Sequence, residues 1–453
     1  MSDPREIIDK SPMTVLQYVV VILTVLMNAI DGFDVLAISV AGPGIKAEFG
    51  IDQAQLGFVL AMELLGMALG SVLLGGVADK IGRRKMSLGC LVVMAAGMFL
   101  ASTSTTLTTL CIWRVITGLG IGGMLSTINA IVAEFSNSKA RSFCISMMVI
   151  GYPLGGIACG AYGQAMLAAG AVNWRVMFTG GAILSAVLIP LVFYLAPESV
   201  HWLARKQPHD ALVRVNAVLR KLGHAVVSAL PVIAEASRKK SVMDIFSPAL
   251  AMTTILTTLA YFLTIIPFYF VLKWTPTIVT EMGFPASSAS GVLTWANIGG
   301  ATGGAIFGLL TVRVGLKPLT IFILFMTTVG VTLFGRSAPD LAQLGYWAAF
   351  AGLFGNASIS GLYTIVARVF PTYLRATGTG FVIGVGRGGA YISPIIAGFL
   401  YQWEFSRATV ALIMGCGGML AGTALLFLKM QEGDAAERTP ISAEEEEEMG
   451  TPV

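Results

Sequence analysis

The sequence predicts an all-α membrane protein in which about twelve apolar helices form two related six-helix bundles. Three observations carry that expectation: a composition poor in charge, apolar runs of spanning length from end to end, and motifs that return in the second half. Of 453 residues, 55% are hydrophobic and 12% charged, with a mean hydropathy of +0.79. A soluble domain carries about 25% charged residues, so this surface suits lipid. The formal net charge is +4. Its basic residues are scattered among short loops, with no basic and aromatic stripe, which argues against nucleic acid as a partner. Cys90, Cys111, Cys144, Cys159 and Cys416 lie inside apolar stretches without CxxC spacing or a nearby His. They read as packing residues, and neither a metal nor any other cofactor is expected.

Spans are expected at 15–42, 53–77, 86–104, 107–132, 142–168, 174–196, 249–280, 288–312, 318–335, 341–366, 377–401 and 407–429. The first is too long for a leader peptide and contains Asp31 and Asp34, so it reads as a membrane helix. Glycines four apart (Gly66 and Gly70, Gly118 and Gly122, Gly151 and Gly155) are spaced for close helix approach. Lys80, Arg83, Arg84 and Lys85 follow span two, Lys139 and Arg141 span four, and eight basic residues from Arg205 to Lys240 span six. By the positive-inside rule both termini and the 197–247 loop are cytoplasmic, in a multi-pass protein of a bacterial inner membrane. The expected divisions are a bundle at 1–196, the central loop 197–247, a second bundle at 248–429, and an acidic, disordered tail at 430–453 bearing Glu444 to Glu448.

Gly75 to Arg84 has a worn copy in Gly308 to Lys317, where Arg313, Gly315 and Lys317 survive and Val312 replaces the Asp. Glu134 to Arg141 matches Arg368 to Arg375 at nearly the same offset of about 234 residues. A shared offset marks a duplicated six-helix unit with a substrate site between its copies.

Gly75-x-x-x-Asp79-Lys80-x-Gly82-Arg83-Arg84 resembles the signature loop of the major facilitator superfamily, and Arg114-x-x-x-Gly118-x-Gly120 resembles its second motif. Asp31-Gly32-Phe33-Asp34, Trp274-Thr275-Pro276 and Gly386-Arg387-Gly388-Gly389 with Pro394 resemble the aromatic acid/proton symporter family, which carries benzoate, 4-hydroxybenzoate and protocatechuate. The chain departs from that pattern at Arg368, where many relatives carry Glu, and at Lys273 beside the Trp-x-Pro segment. The resemblance implies alternating-access import of a monocyclic aromatic carboxylate, driven by the proton gradient. The partners expected are that acid, protons and the bilayer, with the monomer as the working unit. The alternatives are an aliphatic anion carrier, a sugar or polyol carrier, a drug/proton antiporter, and a non-transporting nutrient sensor. A sugar site would need clustered midplane amides, and only Gln164 and Asn297 are available; a membrane enzyme would need converging polar groups, yet His201, His209 and His224 all fall in the central loop.

A charge at bilayer depth costs at least about 2.5 kcal/mol, so each needs a partner or water. Asp31 and Asp34 share a helix face, and Arg114 is placed by depth to answer them, as a proton-coupling set or a static ion pair. The superfamily resemblance implies that Asp34 faces this Arg, as in proton-coupled sugar carriers. Glu63 reads equally as a further protonatable group or a neutral hydrogen-bond partner. A gate is expected from Gly75, Asp79, Gly82, Arg83, Arg84, Glu134 and Arg141, with Asp79 meeting the positive end of a second-half helix and Arg83 pairing with Glu134. Arg387, deep in span eleven among glycines, is the candidate for the substrate carboxylate. Lys273, nearer the outer end of span seven, would attract the anion, and Trp295, Tyr363 and Tyr391 would wall its ring.

Overall fold

Lipid offers no partner to a bare peptide group, so a spanning chain must satisfy its backbone within helices. The computed structural model describes residues 3–169, 173–231, 242–311, 313–371 and 374–429. Val312, part of the basic central segment (232–241, with Arg238, Lys239 and Lys240) and the acidic tail 430–453 lie outside the described residues.

After a short helix α1 (Pro4–Lys10) come six long helices: α2 (Val15–Phe49), α3 (Gln53–Ile81), α4 (Arg83–Ser102), α5 (Leu107–Phe135), α6 (Arg141–Ala168) and α7 (Arg175–Leu195). The central segment holds α8 (Val200–Lys206), α9 (Ala211–Lys221) and a 3-10 turn at Val242–Phe246, so it is partly helical where an open loop was expected. Six more long helices follow: α10 (Ala251–Glu281), α11 (Ala286–Leu310), α12 (Leu316–Arg336), α13 (Leu341–Val369), α14 (Arg375–Gln402) and α15 (Arg407–Phe427). Among the described residues, eleven helices are long and apolar enough to cross a bilayer. The other long one, α11, is rich in Gly, Ala, Ser and Thr and lies between α6 and α13, where small residues permit close packing.

The repeat is visible in the helices themselves. α5 and α13 begin and end 234 residues apart, and so do α6 and α14. Packing repeats as well: α3 lies on α5 as α11 lies on α13, and α14 crosses to α3 as α6 crosses to α11.

Glycine sets the closest of these approaches. A Cβ on Gly66 would run into the Val115 carbonyl, and one on Gly118 into the Glu63 carbonyl, so α3 and α5 touch backbone to backbone. A similar contact brings Gly151 and Gly155 of α6 against the Val25 and Ala29 carbonyls of α2. Pro153 in α6 lacks the N–H that would bond the Val149 carbonyl, and the buried Asn28 amide donates beside it, to the Met148 carbonyl at 2.7 Å.

The two ends of the assembly differ. At the end carrying Glu281, Lys46 pairs with Glu281 at 2.7 Å, Gln53 also donates to Glu281, and Ser290 donates to the Gly160 carbonyl at 2.8 Å. Toward the other end, α14 has open space beside Gly380 and Gly384. Polar contacts between the halves thus gather at the Glu281 end, whereas the ion pairs of Asp79 stay within the first half and the central segment.

Replacing Gly118 by Val should wedge α3 from α5 and cost about 1–3 kcal/mol or more, as overpacking does. Gly76→Ala, at a helical position with nothing within 4 Å, should leave stability equal or slightly higher. Thermal melting of the purified variants in detergent checks this; equal melting temperatures would refute the backbone contact.

Candidate functional site

The middle of α2 carries Asp31 and Asp34, both fully buried. None of their four carboxylate oxygens has a hydrogen-bond partner. Arg114 of α5 reaches α2, but what it touches there is the Asp34 backbone carbonyl, at 2.8 Å, and not the carboxylate. Its acid partner is Glu63 of α3, and its guanidinium also lies 5.1 Å from the Phe178 ring centre. The expected Asp34–Arg114 pair is therefore corrected. Gly66 and Gly118 bring α3 so close to α5 that Glu63 takes the guanidinium first.

Lys273 of α10 also differs from expectation. It is fully buried, donates to the Val35 carbonyl and lies 3.6 Å from Glu63. In this state it is committed to the other half of the molecule and does not face an outer vestibule. Successive α2 carbonyls, those of Asp34 and Val35, thus accept from two buried cations of different halves, and Glu63 sits within reach of both. A carbonyl has two lone pairs, so each accepts a cation while staying in its helix.

Arg387 of α14 donates to the Ser71 hydroxyl of α3 at 3.0 Å, a second contact between the halves. The hydroxyls of Tyr152, Tyr261, Tyr269 and Tyr363 stand near enough to act on its charge, and Tyr261 donates to Tyr363 at 3.2 Å. Tyr363, a candidate ring wall, belongs to this group; Ser71, Tyr152, Tyr261 and Tyr269 had not been singled out. The signal available was a polar group within an apolar span. Trp295 is corrected: it is 54% exposed and turns outward over Gly345 of α13. Tyr391 is part-buried and packs against the core. A small cavity of about 20 Å³ lies between Tyr152, Val271, Asn297 and Asn356. It has room for a water and not for a ring, so a ring would require the helices to part.

At the Asp79 end the signature segment is helical through Ile81, where a loop was expected; only Gly82 breaks it, with φ +105°, a conformation that favours glycine. Arg83 bonds Asp79 at 2.8 Å and Glu134 at 3.1 Å, joining α3, α4 and α5; the Glu134 pair is the one the sequence suggested. Asp79 does not meet a second-half helix. It pairs with Arg205 of α8 at 2.7 Å, and its carbonyl accepts from the Trp202 indole at 2.9 Å. Glu198 is the residue missed: its carboxylate accepts from the backbone N–H groups of Arg83 at 2.8 Å and Arg84 at 3.2 Å, at the start of α4 where such donors are free. An acid beside Pro197 just past span six was the available clue. Arg84 donates to the Phe193 carbonyl, and Arg141 holds the Ser136 carbonyl and pairs with Asp9 of α1. Gly75 lies mid-helix, its nearest outside neighbour the Ser126 hydroxyl. Burial holds the nearby His201 imidazole below its ordinary pKa, which keeps it neutral within this charged set.

The sequence profile of the Major Facilitator Superfamily matches residues 24–294 and 258–448. The chain belongs to the Major Facilitator Superfamily. Over 411 residues it is 29% identical to the benzoate transport protein of Acinetobacter baylyi, covering 88% of this chain and 87% of that one. It is 27% identical to the 3-(3-hydroxy-phenyl)propionate transporter of Escherichia coli, over 90% of this chain and 92% of that one. With the gallate transporter of Pseudomonas putida it shares 25% identity over 94% of each. Among solved structures, a D-xylose-proton symporter superposes with a TM-score of 0.72 at 17% identity, covering 91% of this chain and 97% of that one, which supports the same fold. The protein is a multi-pass membrane transporter and not an enzyme.

Asp79→Asn should remove the ion pairs of Asp79 with Arg83 and Arg205, keeping that of Arg83 with Glu134 and leaving the Arg387 region untouched. The superfamily member is expected to lose turnover several-fold, about 1 kcal/mol of bias between states, with half-saturation changed less than about two-fold. Initial uptake rates across substrate concentration check this; weakened affinity at normal turnover would refute it.

Proposed function

We propose that the protein imports a small organic acid, most simply a monocyclic aromatic carboxylate, together with protons, by alternating exposure of the site between its halves. The observation that carries the proton coupling is the pair Asp31 and Asp34: four fully buried carboxylate oxygens with no hydrogen-bond partner. Such a group needs a proton or a counter-charge, and a site that gains one and then loses it moves protons with each cycle. The substrate class is supported by the names of the relatives, which carry benzoate, a hydroxyphenylpropionate and gallate. Arg387 supports it chemically, since a guanidinium fork matches a carboxylate, and tyrosines lie near enough to act on its charge.

In this reading the closed Glu281 end is the outer gate and the Asp79 end opens to the cytoplasm, with both termini inside a bacterial inner membrane. The Arg83 set then belongs to the inner gate in its released state. The driving force is the proton gradient with no cofactor, and each monomer holds a whole site.

Asp34→Asn should abolish accumulation of labelled benzoate against a gradient while preserving counterflow exchange, which needs no net proton movement. Wild-type accumulation that survives an uncoupler would refute proton drive. Arg387→Lys should weaken binding by about ten-fold or more, because an ammonium cannot form two parallel bonds to a carboxylate. Comparing benzoate with benzamide in a binding assay isolates the charge; equal affinity for the two in wild type would remove Arg387 from the site.

A further inference from the structure

Glu63 is a single carboxylate facing two cations, Arg114 from its own half and Lys273 from the other. Arg114 has further partners in its half, the Asp34 carbonyl, the Met98 sulfur and the Phe178 ring face. Among the described residues Lys273 has polar contacts only with the opposite half, the Val35 carbonyl and Glu63, and Arg114 and Cys159 are the other titratable groups acting on it. Lys273, Thr277 and Glu281 stand four apart on one face of α10, and that face lies on α2 and α3, with Thr277 against Gly42 and Glu281 against Lys46 and Gln53. Pro267 and Pro276 flank Lys273, so the helix lacks two internal hydrogen bonds beside it and can bend there.

When the Glu281 end opens, α10 must lift from α2 and α3, and Lys273 loses both partners together. Arg114 keeps Glu63, because both sit on the half that stays together. A bare ammonium is then left facing the newly opened space, where an organic anion arrives. We propose that Glu63 is a built-in stand-in for the substrate's carboxylate: it occupies Lys273 while the Glu281 end is closed and yields it to the organic acid when that end opens. Closing returns Lys273 to Glu63 and displaces the acid toward the other side. Lys273 is thereby a carboxylate-binding residue in one state only, which gives the transporter a tighter site on the face where it loads. This rests on the alternating-access import of an organic acid argued above.

The test is the sidedness of a single substitution. In right-side-out and inside-out vesicles, half-saturation for benzoate is measured from each face for wild type and Lys273→Gln, which leaves the Glu63–Arg114 pair in place. The expected result is about ten-fold weaker half-saturation from the Glu281 face, with less than about two-fold change from the Asp79 face. Glu63→Gln, checked for folding by size-exclusion elution, should tighten half-saturation from the Asp79 face, and adding Lys273→Gln should remove that gain. Equal effects of Lys273→Gln on both faces, or none on either, would overturn the proposal while leaving the transport reading intact. Wild-type protein that handles no carboxylate from a panel of benzoates, cinnamates and aliphatic dicarboxylates overturns both.

Discussion

A charge held in a medium that solvates it poorly must be answered by another group, and the arrangement of α2, α3, α5 and α10 follows from that requirement. Glu63 meets Arg114 and Lys273, and the two cations finish their coordination on adjacent carbonyls of α2. Four helices from two halves therefore converge on a few ångströms of backbone. Removing Glu63 would leave both cations without their acid, whereas removing Lys273 leaves the Glu63–Arg114 pair intact. Among the described residues Glu63 has ion-pair partners in Arg114 and Lys273, whereas the carboxylates of Asp31 and Asp34 have neither a hydrogen bond nor an ion pair, which is what sets them apart chemically from Glu63.

That convergence depends on residues that contribute no charge at all. Gly66 and Gly118 let α3 and α5 touch, and without that approach Glu63 would not reach Arg114 ahead of Asp34. Gly151 and Gly155 do the same for α2 and α6, which places Tyr152 at the interface beside Gly32. Contacts between the halves are of two kinds. Those at the Glu281 end, such as Lys46 with Glu281, are partly exposed and individually weak. At mid-depth, Lys273 with Glu63 is fully buried and so stronger per contact, while Arg387 with Ser71 is part-buried. A structure held this way can part at a rim without loss of its halves, provided the buried cations find a new partner.

At the opposite end the ion pairs stay within one half and its central segment. Asp79 turns to Arg205 and Arg83, and Glu198 closes the start of α4 over Gly82. Helices α8 and α9 thus brace the first six long helices. Exposed pairs of this kind contribute about 1 kcal/mol or less each, so exchanging them for contacts with a second-half helix is nearly balanced, as a gate between two states requires.

Periodicity, apolar length and the repeat offset made the fold legible without coordinates, because lipid restricts a spanning chain to helices and a duplication leaves its spacing in the sequence. The same logic marked Asp31, Asp34, Glu63, Arg114 and Arg387, since an ionisable residue in an apolar run is conspicuous wherever it points. Arg83 with Glu134 was legible too, through a motif whose spacing joins helix ends. What the sequence could not decide was which acid meets which base. Asp34, Asp31 and Glu63 lie at similar depth, and choosing among them turns on helix rotation and on an approach of about a side chain's width set by Gly66 and Gly118. The outward turn of Trp295 and the inward burial of Lys273 are decisions of the same kind. Depth along a helix is written in the order of residues, whereas the direction a side chain faces is settled by the neighbours that pack against it.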